Sequence, residues 1–302
     1  MALTELAKEN EKIIALTADL GITAGLERFK TTFPERFYNV GIAEQNLIGV
    51  SAGFAAGGFI PYCATFSNFA AMRSCEQVRH YLGYMKENVK VVGLGAGFAM
   101  GMFGTTHYGI EDISAIRGIP NITITSPADS TETVKTVIAA STFNGPLYIR
   151  LTGVMNNPIV YRGDYNFEIG KAVSLKEGKD VAIIATGTMV AESIKAGKIL
   201  EEVGIAAAVI DMHTIKPLDV VAIDKVCAST KLIVTVEEHS VIGGLGSAVA
   251  EYIVNKNTRV PQLMIGINDF FPYAGDYRYL LEQCGLTAPQ IAEKIKEKHN
   301  LL

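Results

Sequence analysis

One carboxylate, Glu44, stands in a segment that is otherwise uncharged. The segment from Gly41 to Ala56 reads GIAEQNLIGVSAGFAA, so small, apolar and neutral polar residues surround the acid. Charged side chains are rarely buried unless they are paired or take part in chemistry, and a nearly dry site strengthens the hydrogen bonds of a carboxylate. An acid near a helix start is also favoured by the helix macrodipole alone. Glu44 is therefore either a buried carboxylate that controls a proton or a simple helix-terminal charge.

Aromatic residues and a histidine further along the chain could hold a flat, polar molecule. Phe66, Phe69 and Met72 recur at i, i+3 and i+6, near one helical face. They form either ordinary core or a stacking surface for a ring, which contributes about 0.5–1.5 kcal/mol per aromatic pair beyond burial. His107 follows a glycine-rich loop, AGFAMGMFGTTH. Because loops often carry functional groups, His107 is a candidate site residue, with a structural histidine as the alternative.

The elements that must position these residues alternate between apolar strands and helices. Continuous apolar strands separated by helices are typical of a parallel sheet that is covered on both faces. In the first half of the chain we predict helices at Leu3–Asn10, Ala43–Ala56, Asn68–Met85 and Gly109–Ile119, and strands at Ile13–Leu20, Phe59–Phe66, Val89–Ala96, Asn121–Pro127 and Gly145–Leu151.

The alternation breaks and then restarts, which indicates a second unit. Asn156–Gly170 is rich in Pro, Gly and Asn and is interpreted as a linker, and strands and helices alternate again after Lys179. A chain of 302 residues also exceeds the usual size of a single core. We therefore predict an α/β fold of two doubly wound domains with mainly parallel sheets, covering residues 1–160 and 161–302.

The composition argues against several classes of protein. Charged residues make up 19% of the chain and the net charge is −4, without a lysine or arginine cluster, so we expect no nucleic-acid binding. The four cysteines are far apart and form no C-x-x-C pair, which favours reduced thiols. No uncharged apolar run reaches the roughly 18 residues that span a bilayer, and the N-terminal residues do not resemble a signal peptide. We expect a cytoplasmic protein without a membrane partner.

Taken together, these segments resemble the pyrimidine-binding half of the transketolases, a thiamine-diphosphate family. The family motif G-I-x-E-Q/H is similar to Gly41–Gln45, and the family segment T-F-x-N-F is similar to Thr65–Phe69. The resemblance implies that Glu44 is catalytic and hydrogen-bonds N1′ of the aminopyrimidine of thiamine diphosphate, which holds the ring in the required tautomer. It also implies that Phe66 and Phe69 contact this ring and that Met72 fills the place of a third aromatic residue.

The resemblance implies further contacts with the cofactor and the substrate. Asp19 and Leu20, in TADL, resemble the family segment A-D-L beside the cofactor. Thr106 and His107 match the first two residues of the family motif T-H-Q, whose histidine contacts carbonyl and hydroxyl oxygens of the substrate. His107 is therefore implied to be both catalytic and substrate-binding.

Three of the departures from the family pattern bear on the substrate. Phe103 replaces an acid that recognises a donor hydroxyl, Gly95 replaces a histidine, and Gly153 lies where many members carry an arginine. Arg150 lies close to that last position, so Arg150, Phe103 and His107 are the predicted substrate contacts. The implied reaction is transfer of a two-carbon ketol unit from a ketose donor to an aldose acceptor. The departures favour a modified, deoxy or differently charged sugar over an ordinary ketose phosphate.

The diphosphate-binding signature of the family, G-D-G, does not occur in this chain, and no metal site is expected in it. The resemblance therefore implies the C-terminal subunit of a split enzyme. Its N-terminal partner subunit would bind the diphosphate and Mg²⁺ or Ca²⁺, and the two chains would form a heterotetramer that shares the cofactor.

Two segments of the second half, His213–Asp219 and Glu237–Glu251, resemble the C-terminal domain of transketolases and of pyruvate-dehydrogenase β subunits. The glycines of the GGLGS turn are interpreted as packing residues, and His239 as a histidine that could approach the site. Two alternatives to the split transketolase remain at this point. They are the β subunit of a 2-oxo-acid dehydrogenase and a non-catalytic regulatory partner subunit.

Overall fold

Strands and helices alternate along the chain, as the apolar runs predict. The structure, a computed structural model, describes residues 1–154, 157–256 and 260–302. The strands are β1 (Ile13–Thr17), β2 (Phe37–Asn39), β3 (Ile60–Phe66), β4 (Lys90–Leu94), β5 (Thr123–Thr125), β6 (Leu147–Arg150), β7 (Val173–Lys176), β8 (Val181–Ala185), β9 (Ala207–Asp211), β10 (Thr214–Lys216), β11 (Leu232–Ser240) and β12 (Gln262–Ile267). The α-helices are α1 (Ala2–Glu9), α2 (Glu27–Thr32), α3 (Glu44–Ala56), α4 (Cys75–Gln77), α5 (Asp112–Arg117), α6 (Ser130–Thr142), α7 (Met189–Glu202), α8 (Val220–Ser229), α9 (Leu245–Ile253), α10 (Tyr277–Gln283) and α11 (Ala288–His299). Across these described ranges, no helix has both the length and the apolar character needed to cross a bilayer.

Two sheets organise these elements. Within the described residues, the larger sheet has the order β10-β5-β6-β4-β3-β1-β2, and all of its neighbouring strands are parallel except β10 and β5. The smaller sheet has the order β12-β11-β8-β9-β7, in which only β7 is antiparallel to its neighbour. The predicted α/β fold with two mainly parallel sheets is confirmed. The boundary between residues 160 and 161 stays a prediction, and Asn156, where the predicted linker begins, lies outside the described residues.

Strand β1 shows why an unbroken apolar run forms the interior of such a sheet. All five of its side chains are buried. Ile14 and Leu16 pack in one apolar core, whereas Ile13 and Ala15 pack in another on the opposite face. Because successive side chains of a strand point to opposite faces, consecutive buried positions require helices on both sides of the sheet. Burial of each large aliphatic side chain stabilises this arrangement by about 1.5–3 kcal/mol.

Helix α6 and strand β10 are among the elements that were not predicted from the sequence. Helix α6 begins after Asp129, whose side chain accepts a hydrogen bond from the backbone N–H of Glu132 at 2.8 Å. This acid is an N-cap signal that could have located the helix. Strand β10 is too short to give a periodic pattern, yet it pairs with β5 and extends the larger sheet. The second half of the chain is therefore joined to the first by a strand as well as by packing.

A buried histidine lies beside this junction and makes stability depend on pH. The His213 side chain is fully buried, stacks on Phe167 at 4.4 Å between ring centroids, and lies 3.0 Å from the Thr214 hydroxyl through Nδ1. Burial lowers the pKa of His213 from 6.5 to about 4. Between these two pH values the unfolded chain binds more protons than the folded one, so the free energy of unfolding falls as the pH falls.

We expect His213→Gln to reduce the slope of the free energy of unfolding against pH between pH 6.5 and 4. The reduction corresponds to at most one bound proton, or about 1.4 kcal/mol per pH unit. Urea unfolding across this pH range measures the slope, and His80→Gln, at an exposed histidine, is the matched control. Burial raises the pKa of Glu237 from 4.5 to about 7, so this residue gives a slope of the opposite sign between those two pH values. Because Glu237 is present in all three proteins, its effect cancels in the comparison. Equal slopes for wild type and His213→Gln would contradict a neutral buried His213.

Candidate active site

The predicted site residues lie at the carboxyl edge of the larger sheet. Asp19 follows β1, Glu44 follows β2, Phe66 ends β3, and His107 lies in the loop after β4. These four strands are neighbours in the order β4-β3-β1-β2. In parallel α/β sheets, ligands bind outside the carboxyl ends of the strands, so the residues stand where a ligand is expected.

Glu44 is the first residue of α3, and only 3% of it is exposed. Its Oε1 atom accepts a hydrogen bond from Nη1 of Arg73 at 2.8 Å. Both features that the sequence suggested are present, since the acid lies in the first turn of a helix and is also buried. The pairing with Arg73 was not predicted, because the two residues are 29 positions apart in the chain.

The aromatic residues and the histidine form one cluster. The ring centroid of His107 lies 5.9 Å from that of Phe66, 5.5 Å from that of Phe69 and 5.1 Å from that of Phe103. Phe66 and Phe69 meet edge to face at 5.8 Å. Met72 lies nearby in the chain with 57% of its surface exposed. The cluster and Glu44 are connected, because the guanidinium carbon of Arg73 lies 3.9 Å from the ring centroid of Phe69.

The backbone that carries Phe69 is not an ordinary α-helix. Phe69–Arg73 and Val78–Tyr84 are π-helical, and the backbone N–H of Ser74 donates to the carbonyl of Phe69 at 3.2 Å. The segment Asn68–Met85 is therefore helical, as predicted, but the helix is wider than an α-helix in these two π-helical segments. The expectation that Phe66, Phe69 and Met72 share one face assumed 3.6 residues per turn, and a π-helical turn changes that spacing. Such turns occur frequently at functional sites.

The loop that carries His107 is held at its base and at its tip. Gly97 and Gly109 exchange backbone hydrogen bonds at 2.7 and 3.1 Å, which closes the base. Near the tip, Nδ2 of Asn68 donates to the carbonyl of Thr106 at 2.9 Å, and the Thr106 hydroxyl lies 3.0 Å from Nδ1 of His107. Sequence analysis missed Asn68, although it lies within the aromatic segment. His107 is half-buried and can present its second ring nitrogen to a ligand.

The structure gives a physical reason for Gly95. Its φ is +62°, a conformation that favours glycine. A Cβ atom at this position would lie 2.8 Å from Cγ of Met100 and 3.2 Å from the ring of Phe66. A histidine here would have a strained backbone and would press on Met100 and Phe66, so glycine leaves room for these two side chains.

Asp19 and Leu20 lie at the rim of the same edge. Asp19 has a φ of +61°, and its carboxylate accepts a hydrogen bond from Nδ2 of Asn39 at 3.0 Å. The Asn39 side-chain oxygen in turn accepts from the backbone N–H groups of Asp19 and Gly41, each at 3.0 Å. The backbone N–H of Leu20 donates to the Thr17 hydroxyl at 3.0 Å. Asn39 thus joins the turn after β1 to the turn that leads into Glu44, a role the sequence analysis missed.

Arg150 is enclosed in the protein and does not line this site. This position corrects the prediction that Arg150 contacts the substrate. Only 2% of the residue is exposed. Nε lies 3.1 and 3.0 Å from the two carboxylate oxygens of Asp112, and Nη2 donates to the carbonyls of Gly109 and Glu238 at 2.8 and 2.9 Å. Burial disfavours the charge, but the carboxylates of Asp112 and Glu238 together hold the pKa of Arg150 above its ordinary value. Arg150 therefore anchors the base of the His107 loop from inside the protein.

A glutamate of the second half supports the same loop. Oε1 of Glu238 accepts from the backbone N–H of Phe98 at 2.6 Å, and Oε2 accepts from the hydroxyls of Thr188 and Tyr277 at 2.5 and 2.6 Å. A Cβ atom on Gly97 would overlap this carboxylate, so the close approach requires glycine. Burial raises the pKa of Glu238. The position of the His107 loop therefore depends on contacts from both halves of the chain.

His239 and the GGLGS turn are structural rather than part of the site. His239 is fully buried, donates from Nδ1 to the carbonyl of Ser240 at 2.7 Å and accepts at Nε2 from the backbone N–H of Ser114 at 3.4 Å. Burial lowers the pKa of His239 to about 4, which agrees with a neutral ring. The backbone N–H groups of Leu245 and Gly246 donate to Glu237, each at 2.7 Å. Backbone N–H groups of the glycine turn thus bind a buried carboxylate at the start of α9. This contact agrees with the interpretation of the turn as a packing element.

Comparison with known protein families assigns both halves of the chain. Residues 1–154 match the pyrimidine-binding domain of transketolase, and residues 170–291 match the transketolase C-terminal domain.

Within the described ranges, no group of three His, Cys, Asp or Glu side chains could hold a metal ion.

Several curated relatives have nearly the same length as this chain. A putative transketolase C-terminal section of Methanocaldococcus jannaschii is 42% identical over 98% of this chain and 93% of the relative. A 6-deoxy-6-sulfo-D-fructose transketolase subunit of a Clostridium species is 42% identical over 99% and 93%. An apulose-4-phosphate transketolase subunit of Phocaeicola vulgatus is 38% identical over 98% and 94%. These relatives do not favour a 2-oxo-acid dehydrogenase β subunit.

Solved structures give the same assignment. A split-gene transketolase, described as an inactive β4 tetramer, is 43% identical with a TM-score of 0.89 over 99% of this chain and 96% of that one. The transketolase of Campylobacter jejuni shares the fold, with a TM-score of 0.78 at 23% identity over 98% of this chain and 45% of that one. The chain belongs to the transketolase family, whose members depend on thiamine diphosphate, and it corresponds to the C-terminal section of these enzymes.

Proposed function

We propose that this member of the transketolase family is the C-terminal subunit of a split enzyme that transfers a two-carbon ketol unit from a ketose to an aldose. One observation carries the proposal. The buried Glu44 carboxylate lies at one edge of the sheet with the cluster of Phe66, Phe69 and His107. A buried acceptor beside aromatic rings and a half-exposed histidine provides the groups that control a proton on a flat heterocycle and bind an oxygenated substrate.

These residues fit the pyrimidine half of thiamine diphosphate. Glu44 would hold a proton at N1′ of the pyrimidine, and Phe66 and Phe69 would contact the ring. Among the described residues, none donates a hydrogen bond to the buried side-chain oxygen of Asn68, so this oxygen can accept an N–H or O–H group of a bound molecule. Asp19, Leu20 and Met72 would line the rim, and His107 would donate a hydrogen bond to oxygen atoms of the substrate. When bound, thiamine diphosphate supplies the electron sink that the transfer requires.

A partner subunit would complete this site. We propose that it binds the diphosphate and Mg²⁺ or Ca²⁺, that the two chains form a heterotetramer, and that the complex is cytoplasmic. Several apolar side chains near the site are strongly exposed in this chain, as expected of a surface that another protein covers. They are Ile22 at 81%, Ile42 at 76%, Met102 at 74%, Phe103 at 63% and Met72 at 57%.

The site also supports a substrate other than an ordinary ketose phosphate. The exposed ring of Phe103 stands beside His107, and Arg150 is enclosed in the protein. Gly153 has a φ of +72° and offers no charged side chain, and no atom of the described residues lies within 4 Å of the place that its Cβ would take. Each charge-assisted hydrogen bond that a phosphate lacks weakens binding by about ten- to a hundredfold. A modified, deoxy or differently charged sugar fits these changes, and two relatives are named for a sulfonated sugar and for apulose 4-phosphate.

The test uses the native complex of this chain with its co-purifying N-terminal subunit. We expect activity in the complex, with thiamine diphosphate, Mg²⁺ and a panel of ketose donors, and none in this chain alone. On xylulose 5-phosphate with ribose 5-phosphate we expect a kcat/KM below about 10⁴ M⁻¹s⁻¹. Full ketol transfer by the chain alone would contradict the split enzyme. A higher kcat/KM on xylulose 5-phosphate would contradict the substrate proposal, and turnover of 2-oxo acids alone would contradict the reaction class.

A further inference from the structure

Arg73 lies on the two side chains that we assign to the pyrimidine of the cofactor. Its Nη1 atom donates to Oε1 of Glu44 at 2.8 Å, and its guanidinium carbon lies 3.9 Å from the ring centroid of Phe69. Nε2 of Gln45 donates to the backbone carbonyl of Arg73 at 3.2 Å, which fixes the backbone beside the site. The guanidinium therefore makes both a hydrogen bond to the buried acid and a stacking contact.

A guanidinium resembles a pyrimidine that carries a proton at N1′. Both are flat, both offer N–H donors at the edge of the plane, and both stack on an aromatic face. A pyrimidine bound at Oε1 of Glu44 and on the same face of Phe69 would overlap the guanidinium, so the two groups would compete for these contacts. In the chain without cofactor, the arginine thus makes the contacts that the pyrimidine would make.

We propose that Arg73 is an internal plug of the pyrimidine site, which must move out before the cofactor enters. The inference rests on the proposed function of Glu44 and Phe69. The two ends of the ion pair differ in freedom, because the Arg73 side chain is 47% exposed whereas that of Glu44 is 3% exposed. Arg73 can therefore turn into solvent on its flexible stem, while Glu44 stays in place.

The plug explains how a buried carboxylate is tolerated before the cofactor binds. A buried charge without a partner is strongly destabilising, and Arg73 supplies the partner in the free subunit. The same contact competes with the pyrimidine, so every binding event must break it. Arg73 thereby protects Glu44 and weakens cofactor binding at the same time.

The test is calorimetric titration of the full chain with the pyrimidine alcohol of the cofactor, 4-amino-5-hydroxymethyl-2-methylpyrimidine. This probe has neither diphosphate nor thiazolium, so it needs neither a partner subunit nor a metal. Arg73→Met keeps an unbranched apolar stem but removes the N–H donors, and we expect it to bind the probe about tenfold more tightly than wild type. Arg79→Met, at another exposed arginine, is the matched control and should bind like wild type.

The outcomes separate this inference from the proposed function. Tighter binding by Arg73→Met that is lost in the double variant Arg73→Met/Glu44→Gln would support the plug. If wild type binds the probe and Glu44→Gln does not, but Arg73→Met binds equally or more weakly, the plug is wrong and the pyrimidine site stands. If neither wild type nor Arg73→Met binds the probe, both the plug and the proposed pyrimidine site are wrong.

Discussion

Replacing Arg150 with methionine is expected to lower the free energy of unfolding by about 3–5 kcal/mol. The substitution leaves Asp112 buried as an unpaired carboxylate, and it removes the guanidinium donor from the carbonyls of Gly109 and Glu238, of which Gly109 keeps the backbone N–H of Gly97. Asp112 keeps a hydrogen bond from the Tyr148 hydroxyl at 2.8 Å, which does not neutralise its charge. Urea unfolding of wild type and variant at the same pH measures the difference.

Two further variants show whether the buried charge is the cause. Asp112→Asn combined with Arg150→Met should be less destabilising than the sum of the two single changes, because no uncompensated charge remains. Arg79→Met makes the same type of change at an exposed position and should alter stability by less than about 0.5 kcal/mol. A loss below about 1 kcal/mol in Arg150→Met would contradict the anchoring role of the ion pair.

The sequence was sufficient to predict the structure where a single short segment determines it. The unbroken apolar run of β1 predicted an interior strand because five consecutive buried positions have few alternatives. The lone acid in an uncharged segment left two interpretations of Glu44, a buried carboxylate or a helix-terminal charge, and the residue is both buried and at the helix start. Phe66, Phe69 and His107, which were predicted separately as site residues, lie in one cluster, and their functional roles stay predictions.

The sequence was insufficient where distant residues decide the structure. Arg73 pairs with Glu44, and Arg150 pairs with Asp112 across 38 positions, and neither contact leaves a periodic pattern. Arg150 looked available because it lies close to the expected arginine position, but its place in β6 turns it into the protein. The π-helical turn at Phe69–Arg73 has no propensity signal of its own that the sequence could have shown.

Replacing Glu44 with glutamine is expected to abolish most of the activity while the fold stays intact. Amide and carboxylate have nearly the same shape, but the amide cannot hold a proton at N1′ of the pyrimidine in the way that we propose for the carboxylate. Positioned acid–base groups contribute roughly 10²–10⁴-fold to rate, so a loss of this size is expected. Glu76→Gln, at an exposed acid in α4, is the matched control and should retain activity.

The most direct measurement is the rate of hydrogen–deuterium exchange at C2 of thiamine diphosphate bound to the complex of this chain and the proposed N-terminal subunit. The rate reports proton removal at the cofactor without any sugar substrate, so it is independent of the donor and acceptor. We expect rapid exchange in wild type and in Glu76→Gln, and exchange slower by roughly 10²–10⁴-fold in Glu44→Gln. Equal exchange rates in Glu44→Gln and wild type, with cofactor bound in both, would contradict the role assigned to Glu44.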